Sequence, residues 1–192
     1  GTNVLVTTWK TPHGWVVIRD ALVMGRSQGP DEVTPHTRPP ADDDAEHMLI
    51  RTAECIDGEV QVDLICEPIF DYGRVPAQWT LLGGTHVAEA NGAGTTLRLH
   101  TDMAMGIEGS SVRARHTLQR GEKLFCALTW DPHIDAPADV DDAQQRIENT
   151  VRFWRGWLSK ARIPDHRWRE SIQRSALTIK GLTYMPTGAT IA

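Results

Sequence analysis

A change of hydrophobic period constrains this chain more than any other feature. Up to residue 130, apolar and polar side chains alternate in short runs broken by Gly, Pro, Asn and Asp. From residue 147 onward, apolar residues recur at three- and four-residue spacing. Two-residue alternation fits strands that bury one face, and the wider spacing fits helices with one apolar stripe. Strands and helices do not alternate, so a parallel α/β sheet is not expected. The order predicts an antiparallel β-sandwich of about nine short strands, with helices after it.

Residues 4–9 and 15–22 are rich in β-branched and aromatic side chains, and Thr11-Pro12-His13-Gly14 between them reads as a hairpin turn. Residues 24–46 hold four Pro, two Gly and the acid run Asp42-Asp43-Asp44, with few large apolar residues. They read as a long loop, a kind of segment that is often functional or disordered. Residues 48–67 carry the clearest local signal. Asp57-Gly58 suits a two-residue type I′ turn. Such a turn pairs Ile56 with Glu59, and one apolar face then carries Cys55 with Val60, Ala53 with Val62, and Leu49 with Cys66. Residues 122–130 are apolar on both faces, which places them centrally in a sheet.

Residues 131–142 form a Pro- and Asp-rich linker. Ile147, Val151, Trp154 and Leu158 then make one helical stripe, with Asp139, Asp141 and Asp142 suited to its N-cap and first turn. Ile163-Pro164-Asp165 breaks that helix. Asp165 can cap a second one carrying Trp168, Ile172, Ala176, Ile179 and Leu182. Two such helices cannot bury their own stripes. They must lie on the sandwich, on further helices or on a second copy of the chain, where they would drive self-association. The expected division is a sandwich over 1–136, a linker with its helix over 137–164, and the start of an all-helical unit over 165–192.

The net charge of −5 gives no electrostatic case for nucleic acid or an anionic membrane. No apolar run approaches the roughly 20 residues of a membrane span, and no basic-then-apolar leader opens the chain. Cys55, Cys66 and Cys126 are odd in number and contain no CxxC, which argues against a disulfide framework or a structural zinc site. They read as small buried hydrophobes, in keeping with a reducing, cytoplasmic setting. The eight His form no HxH or HExxH, and no GxSxG, Walker A or GxGxxG motif occurs. Glu67 and Asp71 are the most tempting carboxylates. With Arg74 nearby, an ion pair or turn hydrogen bond is the preferred reading over acid/base chemistry. Asp42, Asp43, Asp44 and Glu46 are oxygen-rich enough for calcium but lack the EF-hand spacing, so a solvated acidic loop is preferred. No cofactor is evident. Trp9, Trp15, Trp79 and Trp130 would stack on sugar rings if exposed; packing roles are preferred.

Three stretches carry a resemblance. They are GTNVL with TTW at 1–9, EPIFDYGR at 67–74, and RSALTIKGLTYMPTGATIA at 174–192. The last is the most specific. In order and spacing the chain resembles glycoside hydrolase family 15, which holds glucoamylases, glucodextranases and the actinobacterial type of trehalase; the trehalase-like branch is nearest. The resemblance implies a β-sandwich followed by the first helices of an (α/α)6 barrel. It implies an inverting α-glucosidase acting on trehalose or on α-glucan ends. Such an enzyme uses two carboxyl groups roughly 6.5–9.5 Å apart. In the family both are Glu residues deeper in the barrel than this chain reaches, so no catalytic residue is assigned here. Tyr184 is the one residue expected to line the sugar pocket of a complete enzyme. Phosphate or Mg2+ dependence is possible in the trehalase branch. A non-catalytic carbohydrate-binding sandwich and a structural or oligomerisation domain are the rivals.

Overall fold

A computed structural model describes residues 1–25, 45–130, 134–184 and 187–191. Of the loop expected over 24–46, residues 26–44 lie outside the described residues, Asp42, Asp43 and Asp44 among them. The chain begins with β1 (Leu5–Lys10), β2 (Gly14–Met24), β3 (Ala45–Cys66), β4 (Ile69–Phe70), β5 (Val75–Pro76) and β6 (Gln78–Leu81). It continues with β7 (Val87–Gly92), β8 (Thr95–Thr101), β9 (Met105–Glu108), β10 (Ser111–Gln119) and β11 (Lys123–Thr129). Then follow α1 (Val140–Ser159), α2 (Arg169–Gly181), β12 (Thr183–Tyr184) and β13 (Ala189–Thr190). The fold is mainly β and antiparallel, as the alternation predicts.

The large layer runs β1-β2-β3-β11-β8-β7-β6. The second half of β3, with β10 and β9, forms the small layer. Between them lies the sandwich core, which includes Ala53, Cys55, Val60, Leu99, Val112 and Leu124. β11 is central, paired with β3 on one side and β8 on the other. Its Leu124 joins the sandwich core, while Phe125 and Ala127 face the opposite way with Met48 and Ile50. That outer face is covered by α1 through Ala143 and Ile147.

The hairpin expected at Asp57-Gly58 does not form. β3 passes through the dipeptide as one strand of 22 residues. Gly58 does take a positive φ, +65°, but in a bulge: Trp15 pairs with Asp57 and Val16 with Cys55, so Ile56 has no opposite number. A Cβ on Gly58 would stand 2.0 Å from the His13 carbonyl oxygen, so only glycine fits. The bulge bends β3 out of the large layer and into the small one. A hairpin would pair the two halves of this segment with each other. Here the first half pairs with β2 and β11 and the second with β10. The expected register is therefore wrong, yet Ala53, Cys55 and Val60 do share the core face. A bulge and a two-residue turn both reverse the two-residue parity, so the face survives the error.

Asp139 caps α1 as expected, its carboxylate accepting the Asp142 N–H at 2.8 Å. Ile147 and Trp154 are buried, so the stripe folds back onto the sandwich and the self-association argued from it loses its basis. α2 departs further. Its N-cap is Trp168 with no side-chain bond, so Asp165 does not cap it. Trp168, Ile172, Ile179 and Leu182 are exposed, and Leu177 is the buried residue. Asn3 Nδ2 donates to the Leu177 carbonyl at 2.8 Å, and Arg174 Nη1 to the Thr2 carbonyl at 2.9 Å. These bonds to the first residues of the chain select the face of α2 that turns inward. No helix among the described residues is long and apolar enough to cross a membrane.

Candidate functional site

One enclosed candidate lies where the first residues, the ends of β2 and β11, the start of β3 and both helices meet. It is a cavity of about 240 Å³ whose polar lining comes from Asn3, His47, Lys180 and Thr183 and whose aromatic lining comes from Trp130 and Trp154. A mostly apolar cleft with a few converging polar groups is the usual form of a small-molecule site. His47 is held in the left-handed backbone region, φ +47°. Its carbonyl accepts the Trp130 N–H at 3.3 Å, and the two rings stand 5.8 Å apart at 32°. Trp154 is fixed edge-on between Phe153 and Trp157. Non-glycine residues with positive φ are uncommon and cluster at functional positions.

A wider, more polar recess of about 530 Å³ adjoins it, sharing Ala45 and His47. Arg146 organises this recess. Its Nε and Nη2 reach the two oxygens of Asp142 at 3.3 Å each, and its Nη1 reaches Glu46 at 3.2 Å. Burial works against the Asp142 charge, but the paired bonds from Arg146 and the Ala138 N–H outweigh it. The carboxyl is held below its ordinary range. Glu46 is thus an ion-pair partner. Among the described residues no group of three His, Cys, Asp or Glu side chains is placed to hold a metal.

The carboxylates of EPIFDYGR have local partners. β4 and β5 form a tiny hairpin, Phe70 opposite Val75, whose turn puts Asp71 and Tyr72 at positive φ. Asp71 pairs with Arg74 at 3.5 Å, and Glu67 accepts the Ser110 hydroxyl at 2.9 Å. The Phe70 ring fills the space where a Cβ on Gly92 would stand, 2.2 Å away, so the motif is locked to β7 by a missing side chain. The preferred ion-pair and turn reading of these residues therefore matches the geometry.

Trp79 is buried and donates from Nε1 to the Ser110 carbonyl at 2.9 Å. Trp9 and Trp15 are exposed, but Trp9 pairs with Val16 whereas Trp15 pairs with Lys10, one position on. They therefore face opposite sides of the sheet, and the Lys10 ammonium sits 5.1 Å from the Trp15 ring centre. They do not make one sugar platform. Tyr184 follows Thr183 in β12, is half-exposed, and is not among the residues lining the cavity. Sequence reasoning missed His47, Asn3 and Lys180. They lie far apart in the chain, and no spacing links them. All three cysteines are free, and burial pushes the Cys126 thiol up to about 12.

No protein-family model matches the chain. Two curated proteins do match it from end to end. A trehalase of Mycolicibacterium smegmatis is 46% identical over all of this chain, and a trehalase of Mycobacterium tuberculosis is 44% identical. This chain is similar in sequence to trehalases along its whole length. It spans 30% and 29% of the lengths of those two relatives.

Proposed function

We propose that this chain is the β-sandwich and opening helices of a trehalase-like glycoside hydrolase of the family 15 type, acting in the cytoplasm on a small α-glucoside. The observation that carries the reading is 44–46% identity to two proteins named trehalase, extending over every part of the chain. In this reading residues 1–136 form the supporting sandwich, 137–164 the linker and its helix, and 165–192 the beginning of an (α/α)6 catalytic barrel. The acid and base come from the remainder of the longer protein. That agrees with the local partners of Glu67, Asp71 and Glu46. Tyr184, in β12 just after α2, is assigned to the rim of the sugar pocket that the complete barrel forms.

Inversion has a direct signature for trehalose. Water attacks one anomeric carbon from the face opposite the leaving oxygen, while the other glucose keeps its configuration. The first products are therefore one β- and one α-glucose. Proton NMR of fresh hydrolysate from the full gene product should show both anomers in equal amounts, and residues 1–192 alone should release none. Release of α-glucose alone would overturn the inverting assignment, and glucose from the fragment would overturn the placement of the catalytic pair.

The His47–Trp130 cavity favours a second reading, a non-catalytic carbohydrate-binding sandwich. If it holds, trehalose or a short α-glucan quenches tryptophan fluorescence of residues 1–192, and Trp130→Ala removes the effect. No quenching up to high millimolar sugar would leave that reading without support.

A further inference from the structure

Among the described residues the sandwich is open on one side. In the small layer, the second half of β3 pairs with β10 along Glu59–Gln119 to Cys66–Val112. Among the described residues no strand pairs with its other edge. The direction of that edge is fixed by Glu59, whose N–H reaches away from β10 to the His13 carbonyl at 3.1 Å. By the two-residue period, the N–H groups of Gln61, Asp63 and Ile65 point the same way. The large layer facing this gap is apolar and, among the described residues, uncovered. Leu5, Leu22 and Trp9 are about 60% exposed and Leu49 is 40% exposed. All four lie on the side that elsewhere forms the sandwich core, since Leu22 pairs with Leu49 and Trp9 with core residue Val16. The core residues grow wetter in the same direction: Val60 is buried, while Val62, Leu64 and Cys66 are only partly so.

A free strand edge beside an uncovered apolar sheet face is the shape left for added strands. We propose that this gap is a β-augmentation site, filled in cis by an extended segment of the same polypeptide outside residues 1–192. That segment pairs with the free edge of β3 at Gln61, Asp63 and Ile65. It presents alternate apolar side chains to Leu5, Leu22 and Leu49. The relatives supply the argument for an occupant in cis: they are more than three times as long as this chain. The inference stands on the sheet geometry and needs no particular substrate. Glucose release and strand pairing are separate readouts, so either can fail alone.

The test compares residues 1–192 with the full gene product by amide hydrogen exchange. The amides of Gln61, Asp63 and Ile65 should exchange freely in the short chain and slow by about tenfold or more in the long one. A second measurement guards against misfolding of the short chain. Leu5→Asp should lower the melting temperature of the full product by about 5 °C or more and leave the short chain almost unchanged, because it buries a charge only in the former. Equal exchange in both proteins would overturn the proposal. Protection already present in the short chain, together with a dimeric mass by light scattering, would also overturn it and make a second copy the occupant.

Discussion

The two helices follow the same sequence rule and meet opposite fates. α1 buries Ile147 and Trp154 of its stripe and carries an aspartate cap. α2 leaves Ile172 and Ile179 in solvent, has no side-chain cap, and is held by Leu177 and two hydrogen bonds to the first residues of the chain. Periodicity reports which side chains share a helix face. It cannot report which face a neighbour will cover. α1 lies along a finished surface, the outer face of the large layer. Among the described residues, no such surface covers the stripe of α2.

That contrast can be broken by mutation, most sharply at the two stripes. Trp154→Ala should cost about 3–5 kcal/mol in urea unfolding, while Ile179→Ala should stay within about 0.5 kcal/mol. Comparable losses would erase the distinction. Leu177→Ala should cost about 2–3 kcal/mol and release α2, seen as faster exchange of the amides of α2 with α1 unaffected. Asp139→Ala should cost about 1 kcal/mol, and Asp165→Ala a few tenths at most, because Asp165 caps nothing. Arg146→Met should cost about 1 kcal/mol or less, as expected for a part-exposed pair. This last effect depends on pH in a fixed direction. The folded Asp142 carboxyl lies below its ordinary range, so its contribution is present above the unfolded value and lost as pH falls through the folded one. The variant should therefore match the parent in strong acid and diverge as pH rises toward neutrality.

Much of the sandwich was legible because strands advertise themselves twice, by alternation and by the turns that bound them. Residues 122–130 were recognisable as central because both faces are apolar, and β11 is central. Asp57-Gly58 was recognisable as a site of positive φ. The dipeptide fits a turn or a bulge equally well, and only the partners available to each half of β3 decide between them. The cavity was illegible for a different reason. Asn3, His47, Trp130 and Lys180 come from four separate stretches of the chain, and the chain must fold before they share a wall. Asp139 was legible as a cap because capping is local; Asp165 misled because α2 starts three residues later than its position suggests.

β3 has a consequence beyond geometry. Because one unbroken backbone serves both layers, neither layer has a strand set of its own that could peel away while the other stays intact. Pulling on the small layer loads β2 and β11 directly through the bend at Gly58. The sandwich should therefore yield as one cooperative unit, with denaturant giving coincident transitions for tryptophan fluorescence, which reports the large layer, and for amide exchange along β10 in the small one.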